Sequence, residues 1–262
     1  MKWYRVKALI IRHLYLYQRS LPRLMDIFFW PTMDLLVWGF MSLYLEKLDL
    51  ANVNIFSAIL GAVIFWGILQ QSQGSVSTTF LEDVWEKNLL NIFVTPLTIL
   101  EFILATFGLV IVRVILGGIV MVILALLLYH FNVFVLQLAA IPFILNLIVF
   151  GSVLGLFITA ILLRFGTSAQ VLAFGFIFLI QPFSAVFYPV SALPRVLQYI
   201  SYILPSTYVF EGLRTLLNQG VFNTAYMIYA ALLNIVYLVG VLLLFYLAFG
   251  WVKKNGLLLK LD

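Results

Sequence analysis

Few residues in this sequence are able to carry chemistry. It holds ten acidic side chains, fifteen Lys and Arg, two histidines and no cysteine. Without cysteine there is no thiolate nucleophile, disulfide framework or thiolate metal site. His13 lies in a basic N-terminal segment and His130 at the far end of a long apolar run, so the two cannot share a metal. No H-E-x-x-H, G-x-S-x-G or G-x-x-x-x-G-K-[ST] pattern occurs. Zinc hydrolysis, the serine elbow and P-loop nucleotide chemistry therefore lack their residues. A carboxylate dyad is equally hard to assemble, because Asp34 is the only acid well inside an apolar run. Asp34 and Arg113 stand out for the opposite reason. Each is a charge in an apolar stretch, where it costs about 2.5–3.5 kcal/mol on insertion scales and is usually paired or turned to a cavity. Trp30 and Trp38 flank Asp34; they read either as a path wall or as lipid-facing bulk.

The elements that hold these residues follow from composition. Of 262 residues, 65% are hydrophobic and only 10% charged, with a mean hydropathy of +1.14. Soluble domains carry roughly 25% charged residues, so the class is an all-α integral membrane protein. A span needs about 20 apolar residues. Six candidates meet this: 26–45, 54–74, 100–129, 134–163, 167–188 and 225–252. The runs are too long, and too free of alternation, for barrel strands. Asp34 lies roughly 13 Å into the first span and Arg113 roughly 20 Å into the third, at 1.5 Å per residue. Both spans start from the same side, so an Asp34–Arg113 pair is geometrically open.

Charge placement gives orientation. Lys2, Arg5, Lys7, Arg12, Arg19, Arg23, Lys87, Arg164, Lys253, Lys254 and Lys260 fall on one side, and only Lys47, Arg195 and Arg214 on the other. Both termini are read as cytoplasmic. The net charge of +5 thus marks topology and not nucleic-acid binding. No cleavable leader is read, since basic residues continue through Arg23.

Residues 1–23 form a unit of their own. At helical spacing, Arg5, Arg12, Arg19 and Arg23 share a stripe opposite Trp3, Val6, Ile10, Leu14, Tyr17 and Leu21, which suits a helix lying in the membrane interface. Pro22 is expected to end it. Residues 24–262 form the six-span domain. Its stretch 75–98 is polar, and on a helix Glu82, Asp83, Glu86 and Lys87 share one arc while Leu81, Val84, Trp85, Leu89 and Ile92 share most of the other. Anionic lipid repels such an acidic face, which leaves a protein partner, or a solvated loop helix without one. Between spans five and six, Pro182, Pro189, Pro194 and Pro205 forbid a continuous helix. Short helices dipping into the outer leaflet fit, covered by protein or lining a cavity. Glu211 and Arg214 are spaced to pair. Gly151, Gly155 and Thr159 form a small-residue face that allows close helix approach, read as packing inside one chain.

The residues Phe187-Tyr188-Pro189-Val190, Leu193-Pro194, Leu204-Pro205-Ser206-Thr207-Tyr208 and Glu211-Gly212-Leu213-Arg214 resemble the signature of ABC-2-type transporter permeases. Phe80-Leu81-Glu82-Asp83 through Asn88-Leu89-Leu90 to Thr95-Pro96-Leu97 resembles the same family's cytoplasmic loop. Ser184-Ala185 departs from it, where many relatives carry glycine. The resemblance implies the membrane subunit of an ATP-driven exporter in the bacterial or archaeal cytoplasmic membrane. It implies two permease copies, as a homodimer, with two ABC ATPase subunits that hold ATP and Mg. The chain itself then carries no cofactor and no catalytic site. Leu81, Glu82, Asp83, Trp85, Glu86, Lys87 and Asn88 become the coupling helix. Pro189, Pro194, Pro205, Glu211 and Arg214 belong to a re-entrant cap over 189–217. Spans one, two and five line a path for a hydrophobic, lipid-like or lipid-linked molecule. The alternative is a secondary transporter or channel without an ATPase, although only two deep charges and no clear repeat are present.

Overall fold

A computed structural model describes residues 1–47, 53–132 and 138–256. Phe134, the expected start of span four, and the basic tail residue Lys260 lie outside the described residues. Ten α-helices and no strands occur among the described residues: α1 (Trp3–Arg19), α2 (Leu21–Lys47), α3 (Val53–Trp85), α4 (Leu89–Val94), α5 (Ile99–Tyr129), α6 (Ala140–Phe165), α7 (Val171–Ile180), α8 (Arg195–Tyr202), α9 (Pro205–Gln219) and α10 (Thr224–Lys254).

Local chemistry sets the boundaries. α1 stops at Arg19, and Pro22 stands in the first turn of α2. There its missing N–H costs nothing, because first-turn amides have no partner within the helix. The chain thus breaks at Ser20 and not at the proline. Thr98 and Glu101 form a reciprocal capping box that starts α5. His130, left-handed at φ 52°, ends it. Gly220, at φ 68°, ends α9 in a conformation glycine adopts without strain.

Among the described residues, four helices are long and apolar enough to cross a membrane: α2, α5, α6 with its following turn, and α10. α5 has 31 residues, about 46 Å at the helical rise, against a hydrocarbon core of about 30 Å. Two expectations about the spans change. The stretch 167–188 is not one helix. It consists of a 3₁₀ turn (Gly166–Ala169), α7 of ten residues, and a second 3₁₀ turn (Gln181–Phe183). Gly166, at φ 63°, separates it from α6. The second difference is α3, a helix of 33 residues that does not end at Gly74 but continues to Trp85.

α3 is the central element and packs on α2, α5, α6, α7 and α9. Its tightest seam is with α6. A Cβ added to Gly151 would stand 2.6 Å from the Leu69 carbonyl oxygen, and one on Gly155 would stand 2.5 Å from Val76 Cβ and 2.8 Å from the Gln73 carbonyl oxygen. The small-residue face is therefore an intramolecular seam. In lipid, apolar burial gives helices little drive to associate, so close backbone approach and polar contacts carry the packing. Outward faces of α2 (Phe29, Phe40, Tyr44) and α10 (Leu232, Val236, Leu247) remain exposed and apolar.

Candidate functional site: a charged junction and a polar cleft

At one end of the bundle, α1, the last turns of α3, α4 and the start of α5 converge. α1 buries Val6, Leu9, His13 and Tyr17 against the bundle and exposes Trp3, Tyr4, Ile11 and Tyr15. Its arginine stripe meets the acids predicted on the loop. Arg12 donates to Asp83 at 2.7 Å, and Asp83 is 2% exposed. Arg23, in the first turn of α2, binds Glu82 at 3.1 Å and also pairs with Glu86. Arg5 reaches the Pro96 carbonyl and lies 3.5 Å from Glu101. Asp83 and Glu82 are thus turned inward onto the chain's own arginines, whereas Glu86 pairs with Arg23 and stays exposed. The clue was present: four arginines in one stripe match a carboxylate cluster in charge.

His13 is buried beside this cluster. Burial lowers it to about 4, against the opposing pull of Asp83, with Arg12 and Arg23 adding to the fall. Its Nε2 lies 3.4 Å from the Arg12 guanidinium and 3.5 Å from the Asp83 carboxylate.

What stays outward is a short tip. α3 ends at Trp85, Lys87 turns left-handed at φ 53°, and the Asn88 amide donates to the Asp83 carbonyl at 2.9 Å before α4 begins. Leu81 is fully buried and Asn88 half-buried, whereas Trp85, Glu86 and Lys87 are exposed. Trp85 stacks on Phe174 of α7 and donates to Gln170 Oε1 at 3.3 Å. The tip of α3 is therefore fixed to α7 as well as to α1.

A polar cleft of about 150 Å³ lies between α2, α3, α5 and α7. Arg113 borders it, 3% exposed. Its ion-pair partner is Asp26 and not Asp34. Asp26 lies eight positions earlier on α2, about 12 Å along the helix axis, at the level Arg113 reaches. Among the described residues Asp34 has no hydrogen bond or ion pair, and it is half-buried. Arg113 also donates to Thr78 at 3.2 Å and lies over the Tyr17 ring at 5.8 Å, while Tyr17 bonds Thr79 at 3.0 Å. One guanidinium thereby ties α1, α2, α3 and α5 together. Trp30 borders the cleft, 53% exposed; Trp38 lies apart and stacks on Phe187 at 3.9 Å.

Buried polar residues of α3 complete the cleft, and the sequence reading did not single them out. Pro31 sits inside α2 and has no N–H for the Ile27 carbonyl four residues back. Gln71 supplies that bond from α3 at 2.8 Å. Gln73 donates to the Ala173 carbonyl of α7 at 3.1 Å. A proline inside one apolar run, with glutamines inside the next, was the available signal.

At the opposite end the Pro-broken segment is closed by its own ion pair. Glu211 and Arg214 meet at 3.1 Å. Glu211 accepts the Val190 amide at 2.7 Å, and Arg214 donates to the Ala185 carbonyl at 2.8 Å. Pro189 leads into a 3₁₀ turn, Pro194 precedes α8, and Pro205 opens α9.

The profile of the family described as ABC-2 type transporter matches residues 4–218. The chain belongs to the ABC-2 type transporter family. No curated protein matches it. The match runs from α1 into α9, so the ABC-2 region contains the junction, the cleft and the Pro-broken segment, and α10 follows it. Together with the four helices among the described residues that are long and apolar enough to cross, it makes the chain a multi-pass membrane protein of a transport family.

Proposed function

We propose that this ABC-2 protein is the membrane subunit of an ATP-driven exporter, acting as a homodimer with two ATPase subunits that bind ATP and Mg. α2, α3, α5, α6, α7 with its flanking turns, and α10 supply six crossings. Both termini face the cytoplasm of a bacterial or archaeal cell, and α1 rests in the membrane interface. Residues 189–217 form the outer cap. The cargo is a hydrophobic, lipid-like or lipid-linked molecule. No nucleic acid is involved.

One observation carries this reading. α3 runs without a break from the polar cleft to the exposed Trp85–Lys87 tip, and ion pairs from α1 and α2 hold that end rigid. A clamped helix transmits a push at its tip as a rigid body, which is what coupling to a separate motor requires. The test is co-expression with a candidate ABC ATPase subunit. The two should co-purify, and Trp85→Ala with Lys87→Ala should leave the permease folded while cutting cargo-stimulated ATP hydrolysis. Ion-driven transport by the chain alone would refute it.

A further inference from the structure

The last turns of α10 form one wall of a groove that the proposed coupling does not use. The other wall is α4, the two residues before α5 and the first turn of α5, and the groove encloses about 320 Å³. On α10 it is lined by Tyr246, Phe249, Gly250 and Lys253, a stripe at spacings of three and four. Phe249 is buried and packs on half-buried Phe93, with ring centroids 4.7 Å apart. Leu97 and Ile99 extend the apolar wall. Gly250 leaves the space open, since a Cβ there would meet nothing within 4 Å. α10 lies beyond the matched residues 4–218, so this wall is not part of the ABC-2 region.

Two features decide what fills the groove. One is its continuity with a face that a bilayer covers. Tyr246 adjoins Leu243 and Leu247 on the outward side of α10, and the three are 64%, 61% and 70% exposed. On a crossing helix such a face meets hydrocarbon. The other is charge. Lys253 is the only charged residue lining the groove, it is exposed, and among the described residues its ammonium has no ion pair or hydrogen bond. It stands about 10 Å beyond Tyr246 along the helix axis, where a lysine reaches a headgroup while its stem covers apolar surface. The larger groove between α1 and α4 differs, because its two arginines are already matched by Asp83 and Glu101. Glu101 is held by Thr98 and Arg5 and does not line the α10 groove. No carboxylate there opposes an anion.

We propose that this groove holds one acyl chain of an anionic phospholipid, with the headgroup phosphate on Lys253. In a bilayer a chain gains little by exchanging lipid neighbours for protein, so selectivity comes from the phosphate–ammonium pair. A zwitterionic headgroup carries its own cation, which competes with Lys253. The site requires only that the protein sits in a bilayer and stands apart from the exporter reading.

The test uses the full chain in nanodiscs of equal parts phosphatidylglycerol and phosphatidylcholine. Each lipid is supplied in turn as a photo-activatable tracer with the same diazirine-bearing acyl chain, and the labelled peptides are mapped. The phosphatidylglycerol tracer should label peptides covering 93–99 and 246–253 about fivefold more than the phosphatidylcholine tracer, the ratio one basic residue gives near a membrane surface. Lys253→Gln should remove that preference. Lys254→Gln should keep it, since Lys254 does not line the groove, whereas a general surface attraction falls equally in both variants. Gly250→Leu should fill the slot and cut labelling by both tracers at these peptides without lowering the melting temperature. Excess soluble glycerol phosphate should leave the labelling unchanged, because it brings the anion without the chain. Equal labelling by the two tracers, equal loss in Lys253→Gln and Lys254→Gln, labelling unmoved by Gly250→Leu, or displacement by glycerol phosphate overturns the proposal.

Discussion

Replacing Gly155 with alanine tests whether the α3–α6 seam holds the bundle together. The new Cβ would lie 2.5 Å from Val76 Cβ and 2.8 Å from the Gln73 carbonyl oxygen. Ordinary contact is about 3.5 Å, so the helices must separate by about 1 Å. Neither neighbour yields easily, since one is a β-branched stem and the other is backbone. Overpacking of this kind costs about 1–3 kcal/mol. Alanine returns up to about 1 kcal/mol through its better helix propensity. The net loss is on the order of 1–2 kcal/mol, a fall in Tm of several degrees for a chain of this size. Gly118→Ala is the control, because a Cβ there meets nothing within 4 Å and only the propensity gain applies. Thermal unfolding of the detergent-solubilised protein, followed by size-exclusion fluorescence, reads both. If Gly155→Ala melts with Gly118→Ala, the seam is not close-packed and the reasoning fails.

Three further outcomes follow from the same geometry. Asp26→Leu leaves Arg113 buried without its carboxylate and should cost about 1.5–3 kcal/mol, the range for a lost hydrogen bond to a charged group, since Asp26 itself is partly exposed, whereas Asp34→Asn should leave the melting temperature nearly unchanged. Gln71→Leu strands the Ile27 carbonyl and should cost about 1–3 kcal/mol; adding Pro31→Ala, which restores the N–H, should recover most of it in a double-mutant cycle. Folding lowers His13 from 6.5 to about 4, so the unfolded chain takes up its proton first as pH falls. Its contribution is complete above about pH 6.5 and is lost toward pH 4, at roughly 1.4 kcal/mol per pH unit. A melting series from pH 7.5 to 4.5 should show this slope in the native chain and a flatter one in His13→Gln.

Features encoded locally were legible in the sequence. The amphipathic period of α1, the proline spacing over 182–205, the Gly151/Gly155 face and the three-residue spacing of Glu211 and Arg214 each reduce to a helix repeat or a forbidden backbone N–H. What escaped depended on distant chain segments. Asp26 and Arg113 are 87 positions apart, and Asp26 sat at a span boundary, where a charge needs no explanation. The acids of α3 suggested an external partner because the opposing arginines lie on a different helix. The polar residues after Gly74 read as a loop; in the fold Ser77, Thr78, Thr79 and Asp83 are buried and bonded to α7, α5 and α1, and the helix continues.

The chain has no cysteine, so one introduced at the α3 tip reports without background. Trp85→Cys, paired with a cysteine in the coupling groove of the co-expressed ATPase, measures the central claim directly. The account predicts a disulfide crosslink whose yield changes between nucleotide-free and ATP-bound states, with none from Tyr199→Cys on α8 at the opposite end. A crosslink absent at Trp85→Cys, or equally strong at Tyr199→Cys, would contradict it.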